Sequence, residues 1–332
     1  MTRVAVLGAG SWGTTLANLL ARKGDAVSLW AYEPEVVETV NRSRENSMYL
    51  PGVPLSANIR AVGEVAEAVS GVDVIVSAPP SHAVRGVIRN LGEAVPPGML
   101  VVSATKGIEA DTLALMSQVF AECLPTIRFS VLSGPSFAAE VCEGQPTAVV
   151  AAAHDEATAQ AAQRVFATPV FRVYSNLDVV GVELAGALKN VIAVAAGIAE
   201  GLGMGHNPRA ALITRGLAEI TRLGAAMGAD PLTFAGLAGM GDLVLTATGG
   251  LSRNRSLGVA LAEGQSFEQY RATHRSVAEG ANTSRAGAAL GARLGIELPI
   301  IEQVCEVLFR GKPPREAITE LMGRELKSEQ WR

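Results

Sequence analysis

The first thirteen residues constrain the fold more than any other stretch of this chain. An apolar run, Val4–Leu7, leads directly into Gly8-Ala9-Gly10-Ser11-Trp12-Gly13, and a segment compatible with a helix, Gly13–Arg22, comes next. In a GxGxxG turn between strand and helix, the first glycine permits the tight turn. The second lets backbone approach a pyrophosphate, and the third lets helix and strand pack closely. The helix N-terminus adds unpaired N–H groups for phosphates. The bland alternative is an ordinary strand-to-helix turn. The remainder of the N-terminal half favours dinucleotide binding, because β-rich runs and helical segments continue to alternate. Ala26–Trp30, Val74–Ser77, Leu100–Ala104, Phe129–Ser133, Thr147–Ala151 and Phe171–Tyr174 read as further strands, with helical stretches such as Thr112–Cys123 between them. The early strands are apolar on both faces, as in a parallel sheet covered by helices.

After about Leu177 the strand signal stops. Alanine- and leucine-rich segments take over: Val179–Gly201, Arg209–Met227, Pro231–Ala235, Arg255–Glu263, Thr283–Leu294 and Ile300–Arg310. The expected fold class is therefore α/β, an N-terminal Rossmann-like doubly wound parallel sheet followed by an all-α C-terminal domain. The division falls between a dinucleotide-binding domain, 1–178, and a helical substrate and catalytic domain, 179–332. A cleft between them is the default ligand site.

A length of 332 residues supports two sizeable cores, and 18% charged residues fits a globular chain. Net charge is −4 with no basic stripe, which argues against nucleic acid as a partner. Cys123, Cys142 and Cys305 form no CxxC and no disulfide framework. That cysteine usage leads to the expectation of a reduced, cytoplasmic setting, and the N-terminus lacks a signal-peptide pattern. No Cys/His spacing, HExxH or GxSxG occurs, so no metal site is expected.

In the helical half, Leu184–Ala199 reads LAGALKNVIAVAAGIA. Lys189 is its only charge and Asn190 its only other strongly polar side chain. A buried ammonium is costly unless it is paired or its pKa falls, and either condition suits proton transfer near neutral pH. The alternative is a lysine snorkelling to water. Lys189 and Asn190 interrupt the apolar run below the length of a membrane span, so a helix buried in protein is expected rather than membrane insertion.

Four further sites carry polar chemistry. Lys106 lies in Ser103-Ala104-Thr105-Lys106-Gly107-Ile108-Glu109, beyond a predicted strand end, where ligands bind in open parallel sheets. Gly134 and Ser136 occupy the same kind of position in Ser133-Gly134-Pro135-Ser136-Phe137-Ala138. Asp242, framed by glycines in Gly239-Met240-Gly241-Asp242, is either a helix N-cap or a partner for Lys189. Ser252-Arg253-Asn254-Arg255 offers guanidinium, amide and hydroxyl groups suited to a phosphate, or is a solvated turn. Glu33 stands 20 residues after Gly13, the spacing of a ribose-binding carboxylate, and equally of a helix-start residue. Arg42 and Arg44 could fold back to a 2′-phosphate, so both NAD and NADP stay open, with a lean to NAD. His82 and His206 read as structural or surface residues.

Taken together these residues resemble one family. GAGSWGTTLA (8–17), YLPG (49–52), SATKGIE (103–109), SGPSFAAEV (133–141), ELAGALKNVIAVAAGIAEGLGMG (183–205), ITRGLAEITRLG (213–224), GLAGMGDLVLTATGGLSRNRSLG (236–258) and VAEG (277–280) are similar to bacterial NAD(P)-dependent glycerol-3-phosphate dehydrogenase. The chain departs from that pattern at Gly205-His206-Asn207-Pro208 and at Ala247. The resemblance implies reversible reduction of dihydroxyacetone phosphate to sn-glycerol 3-phosphate for phospholipid synthesis, by a homodimer. It implies cofactor contacts at Gly8, Gly10, Ser11, Trp12, Gly13, Tyr32, Tyr49, Lys106, Ala138, Arg253, Val277 and Glu279. Substrate contacts fall on Lys106, Gly134, Ser136, Lys189, Asp242, Ser252, Arg253 and Asn254, with Lys189 as proton donor and acceptor, assisted by Lys106 and Asp242. Two other readings stay open on the residues alone: a reductase of another keto substrate, and a non-catalytic NAD(H)-binding redox sensor.

Overall fold

A computed structural model describes residues 1–274, 278–326, 328 and 329. Eight strands form one sheet: β1 (Arg3–Leu7), β2 (Ala26–Trp30), β3 (Ile59–Val62), β4 (Val74–Ser77), β5 (Leu100–Ser103), β6 (Arg128–Ser133), β7 (Thr147–Ala152) and β8 (Phe171–Asn176). Their spatial order is β3-β2-β1-β4-β5-β6-β7-β8. The first six are mutually parallel. β7 runs antiparallel to β6, pairing Leu132 with Ala151, and β8 is parallel to β7. The chain leaves β1 towards β2 and β3, then returns to β1's other side at β4. This reversal leaves a crevice beyond the C-terminal ends of β1 and β4.

Both faces of the sheet are covered, as the continuous apolar strands require. Val4 and Val6 pack with Leu16 and Leu20 of the helix Ser11–Arg22 on one side. Ala5 and Leu7 pack with Val84, Ile88 and Val119 on the other. β3 is not foreseen from the sequence, because the exposed Arg60 interrupts its apolar residues, whereas β4 and β5, equally short, are apolar without a break up to their final serine. The segment Thr112–Cys123 is helical only from Met116. Leu113 has φ of 61°, and the Glu109 N–H bonds the Ala114 carbonyl at 2.9 Å, so a closed turn replaces the first helical residues.

From Val179 onward, every described regular element is helical. The helix Val179–Gly201 runs through the middle of this half, and Arg253–Ala262, Asp242–Thr248, His206–Ala226 and Glu279–Leu294 surround it. Pro208 sits in the first turn of its helix, where no backbone donor is needed. With 23 residues and a mean hydropathy of 1.7 over an 18-residue stretch, Val179–Gly201 is apolar and long enough to cross a membrane, despite Lys189. Instead, 94% of that stretch is buried inside this protein. Leu188 and Val182 share a core with Val131, Val150 and Ala152 of the sheet, so the central helix packs directly on β6 and β7.

Backbone meets backbone where Val179–Gly201 crosses Arg253–Ala262. A Cβ on Gly197 would lie 2.0 Å from the Arg255 carbonyl oxygen, and one on Gly258 would lie 2.1 Å from that of Val194. Only glycine fits at either position.

Candidate active site

The glycine turn lies at the crevice. Gly8 adopts φ of +104°, and a Cβ there would come within 2.8 Å of the Pro79 nitrogen just beyond β4. A Cβ on Gly13 would strike the Gly8 carbonyl oxygen at 1.9 Å, whereas one on Gly10 would meet nothing within 4 Å. The first and third glycines thus serve packing, and the second faces open space. Ser11–Arg22 begins with no side-chain cap and no acidic residue in its first turn. The buried Trp12 Nε1 and the Ser77 and Ser103 hydroxyls, at the ends of β4 and β5, have no partner among the described residues. A pyrophosphate fits this donor-rich, sterically open turn. Ala138 opens a short helix beside it, its carbonyl accepting the Thr15 hydroxyl at 3.4 Å.

Three charged groups from distant segments converge near β5 and β6. Lys189 comes from the central helix, and Lys106 from the loop after β5. Asp242 comes after a π-helical turn, Leu237–Gly241, closed by the Gly241 N–H on the Gly236 carbonyl at 3.1 Å. Such turns are frequent at functional sites. Lys189 Nζ donates to Asp242 Oδ1 at 2.6 Å and to Thr246 Oγ1 at 2.7 Å. Lys106 Nζ donates to Asp242 Oδ2 at 2.6 Å and to the Gly134 carbonyl at 3.3 Å. Gly134 has φ of +141°, and its Cβ would lie 2.8 Å from Val149 Cα, so no other residue presents that carbonyl here. Ser136 donates to the same carbonyl at 2.9 Å.

Lys189 is 6% exposed and Asp242 1%. Snorkelling is excluded by that burial and by the ion pair. Burial pushes the Lys189 ammonium down to about 8; Asp242 opposes the fall and Lys106 adds to it. Burial likewise pushes the Asp242 carboxyl up, but Lys106 and Lys189 together hold it below the usual carboxylate range. Two ammoniums share one carboxylate, so the cluster keeps a net positive charge. An oxyanion or phosphate is its natural complement. Asp242 is thus the lysine partner rather than a side-chain N-cap.

The Ser252–Asn254 run sits against the same helix. Ser252 is buried and caps Arg253–Ala262, accepting the Arg255 N–H at 3.2 Å. Arg253 is exposed at the helix start. Asn254 Nδ2 donates to Asn190 Oδ1 at 2.9 Å, and its Oδ1 accepts the Gly280 N–H at 2.9 Å. Arg255 turns away to Glu200 and the Gly249 carbonyl. Glu279, on the helix Glu279–Leu294, accepts the Ser81 hydroxyl at 3.0 Å beyond β4, and burial pushes its carboxyl up. Tyr32 is 81% exposed, while the Tyr49 hydroxyl donates to Glu33 at 2.7 Å. Val277 lies outside the described residues. His82 and His206 are exposed.

Sequence reasoning overlooked Thr246. It stands four residues after Asp242 on one helix, the spacing that stacks two side chains on one face, and that spacing was the available signal.

A doubly wound sheet opening on a glycine turn, with a buried ammonium at its C-terminal edge, defines the class of NAD(P)-dependent oxidoreductases. Comparison with known proteins narrows it. Residues 3–159 match the family model for the N-terminus of NAD-dependent glycerol-3-phosphate dehydrogenase, and residues 178–319 match that for its C-terminus. The chain is 58% identical to glycerol-3-phosphate dehydrogenase [NAD(P)+] of Geobacter sulfurreducens, over 99% of both chains. It is 56% identical to the protein of that name from Citrifermentans bemidjiense, over 98% of both. The crystal structure of glycerol-3-phosphate dehydrogenase from Coxiella burnetii superposes with a TM-score of 0.94 at 39% identity, covering 97% of this chain and 99% of that one. The chain belongs to the NAD-dependent glycerol-3-phosphate dehydrogenase family.

Proposed function

We propose that this chain interconverts dihydroxyacetone phosphate and sn-glycerol 3-phosphate with NAD(P)(H), and that Lys189 carries the proton. One observation supports the role of Lys189 above the others: a buried ammonium held by Asp242 and Thr246 at the C-terminal edge of the sheet that bears the glycine turn. When bound, the nicotinamide supplies or accepts the hydride at substrate C2. An ammonium has three protons, and Asp242 and Thr246 engage two. The third is available to the substrate C2 oxygen. During reduction, Lys189 gives that proton to the developing alkoxide and stabilises its charge. In the reverse direction it takes the hydroxyl proton. Its lowered pKa makes both transfers accessible near neutral pH.

Asp242 fixes the direction of Lys189 and Lys106 at once. Lys106, anchored also on Gly134, adds positive charge for substrate oxygens, and Ser136 shares that loop. Ser252, Arg253 and Asn254 take the phosphate, with Asn254 tied to Asn190 beside the reacting lysine. Remote phosphate binding then positions the reacting carbon. Gly8, Gly10, Ser11, Trp12 and Gly13 hold the dinucleotide, joined by Tyr32, Tyr49, Ala138, Val277 and Glu279; Lys106 and Arg253 reach both ligands. The reading takes 1–178 and 179–332 as domains. It places the enzyme in the cytoplasm as a homodimer that supplies the glycerol phosphate backbone of phospholipids.

A steady-state assay tests it. Dihydroxyacetone phosphate should be reduced with either nicotinamide coenzyme, and dihydroxyacetone should be a far poorer substrate. No turnover of the phosphorylated substrate, or equal turnover of both, would overturn the reading.

A further inference from the structure

Two neighbours of Lys106 in the loop after β5 rest on a single helix. That helix, Ser81–Arg89, follows β4, and its Val84 and Ile88 pack on the sheet. Ser81 and Arg85, one turn apart on it, meet the loop instead. A Cβ on Gly107 would lie 2.5 Å from both Cβ and Oγ of Ser81, so the loop backbone is pressed against that side chain. Two residues on, Glu109 receives Arg85 in a fork: Nε donates to Oε1 and Nη2 to Oε2, each at 2.7 Å. Ile108, between the two contacts, is β-bridged to Leu115 and buried with Val131 and Val182. The spacings match, because four residues of helix advance about 6 Å and two residues of β-paired chain about 6.6 Å.

The ion pair is sheltered, with 17% of the Arg85 side chain and 12% of the Glu109 side chain exposed. Glu109 also closes its own turn, accepting the Thr112 hydroxyl at 2.5 Å and, on its carbonyl, the Leu113 N–H at 2.9 Å. Arg85 reaches past it to Glu122 at 2.6 Å. A planar fork fixes a carboxylate in rotation as well as distance, which one bond from an ammonium does not.

From this geometry we infer that Arg85 and Glu109 are positioning residues: their ion pair registers the loop so that Lys106, three residues before Glu109, reaches Asp242. The inference rests on the proposed function of Lys189 and Lys106. Arg85, helped by Thr112 and Arg89, holds the Glu109 carboxyl below the usual carboxylate range against the pull of burial, so the pair stays charged around neutral pH. The charges that act most strongly on Lys189 are Asp242, on the helix Asp242–Thr248, and Lys106. On other helices packed there, Arg253 faces Glu279, and Glu219 is turned to the Ile300 N–H. Moving Lys106 therefore alters the acidity of Lys189 without touching it.

The pH profile of kcat/KM for dihydroxyacetone phosphate tests this, because a merely structural brace would change stability and leave the profile in place. In Arg85→Met the fork is lost and Lys106 draws back from Asp242. KM should rise about ten-fold, more than kcat falls. The basic limb should move up by about one pH unit, because a like charge has receded from Lys189. Glu109→Gln should reproduce both changes, and the double variant should add little to either. Arg85→Lys keeps the charge without the fork and should recover only part of the wild-type behaviour. ADP-ribose affinity, read by calorimetry, should hold throughout. If Arg85→Met does not fold, Glu109→Gln decides. A wild-type profile and KM in the folded variants overturn the inference, as do effects that simply add in the double variant. A wild type that does not turn over dihydroxyacetone phosphate removes instead the function on which the inference rests.

Discussion

Glu183 and Lys189 lie six residues apart on one helix, both buried, and they behave differently. Glu183 accepts the backbone N–H and hydroxyl of Ser117 at 2.8 and 2.5 Å, capping the helix that starts at Met116. No cation among the described residues pairs with it, and burial pushes it up to about 7. Glu219 repeats the arrangement, receiving the Ile300 and Ile301 N–H groups at another helix start, and burial also pushes it up to about 7. Lys189 faces a carboxylate that a second lysine keeps ionised. Burial drives every one of these groups towards neutrality. What separates them is the partner: Lys189 meets an ionised carboxylate in direct contact at 2.6 Å, whereas Glu183 and Glu219 are held by N–H and hydroxyl donors at helix starts.

The contrast can be broken in three places. The largest effect should come from Lys189→Ala, which removes the proposed proton carrier and should lower kcat by roughly 10²–10⁴-fold. ADP-ribose affinity, read by calorimetry, should hold; an unchanged kcat would take Lys189 out of the chemistry. Asp242→Asn should come next. It leaves two ammoniums facing each other without a counter-charge, and breaking a buried pair costs about 3–5 kcal/mol. Urea unfolding should record that loss. The basic pKa in the pH profile of the rate should also move down, because the carboxylate that opposes the fall of Lys189 is gone. A stable variant with an unmoved profile would show that Asp242 does not govern Lys189.

Glu183→Gln should be the mildest. The folded pKa of Glu183 is raised, from 4.5 to about 7. Its protonated form therefore favours the fold. That contribution is full below pH 4.5 and is lost as pH rises through about 7, on the order of 3 kcal/mol across the window. The glutamine variant should show a flatter melting temperature across that window and an unaltered kcat. A pH dependence identical to wild type would mean that Glu183 titrates as an ordinary carboxylate.

Legibility in the sequence tracks the reach of each interaction. The glycine turn was legible because strand, turn and helix are contiguous, and Lys189 because one charge interrupts an apolar helix. The partnership was not. Asp242 lies 53 residues from Lys189 and 136 from Lys106, and no local pattern joins them. In sequence Asp242 fits a cap and a partner equally; its two lysine bonds, at 2.6 Å each, decide for the partner. Leu113 escaped because its left-handed backbone serves a local turn that its residue type does not advertise. The Ser252–Asn254 run showed its chemistry, but not that Asn254 is tied to Asn190 or that Arg255 points away. Family membership came through several motifs read in order, each ambiguous alone.

The glycine crossing of the two central helices has a mechanical consequence. Lys189 rides on one rod and Arg253 and Asn254 on the other, and the rods touch without side chains between them. Side chains can change rotamer, but two backbones in contact have no slack. The pair therefore works as a caliper whose jaws are Lys189 and the Arg253–Asn254 end, the two positions to which the proposed function gives the proton and the phosphate. A methyl group at Gly197 or Gly258 would leave each chemical group present and spoil the gauge.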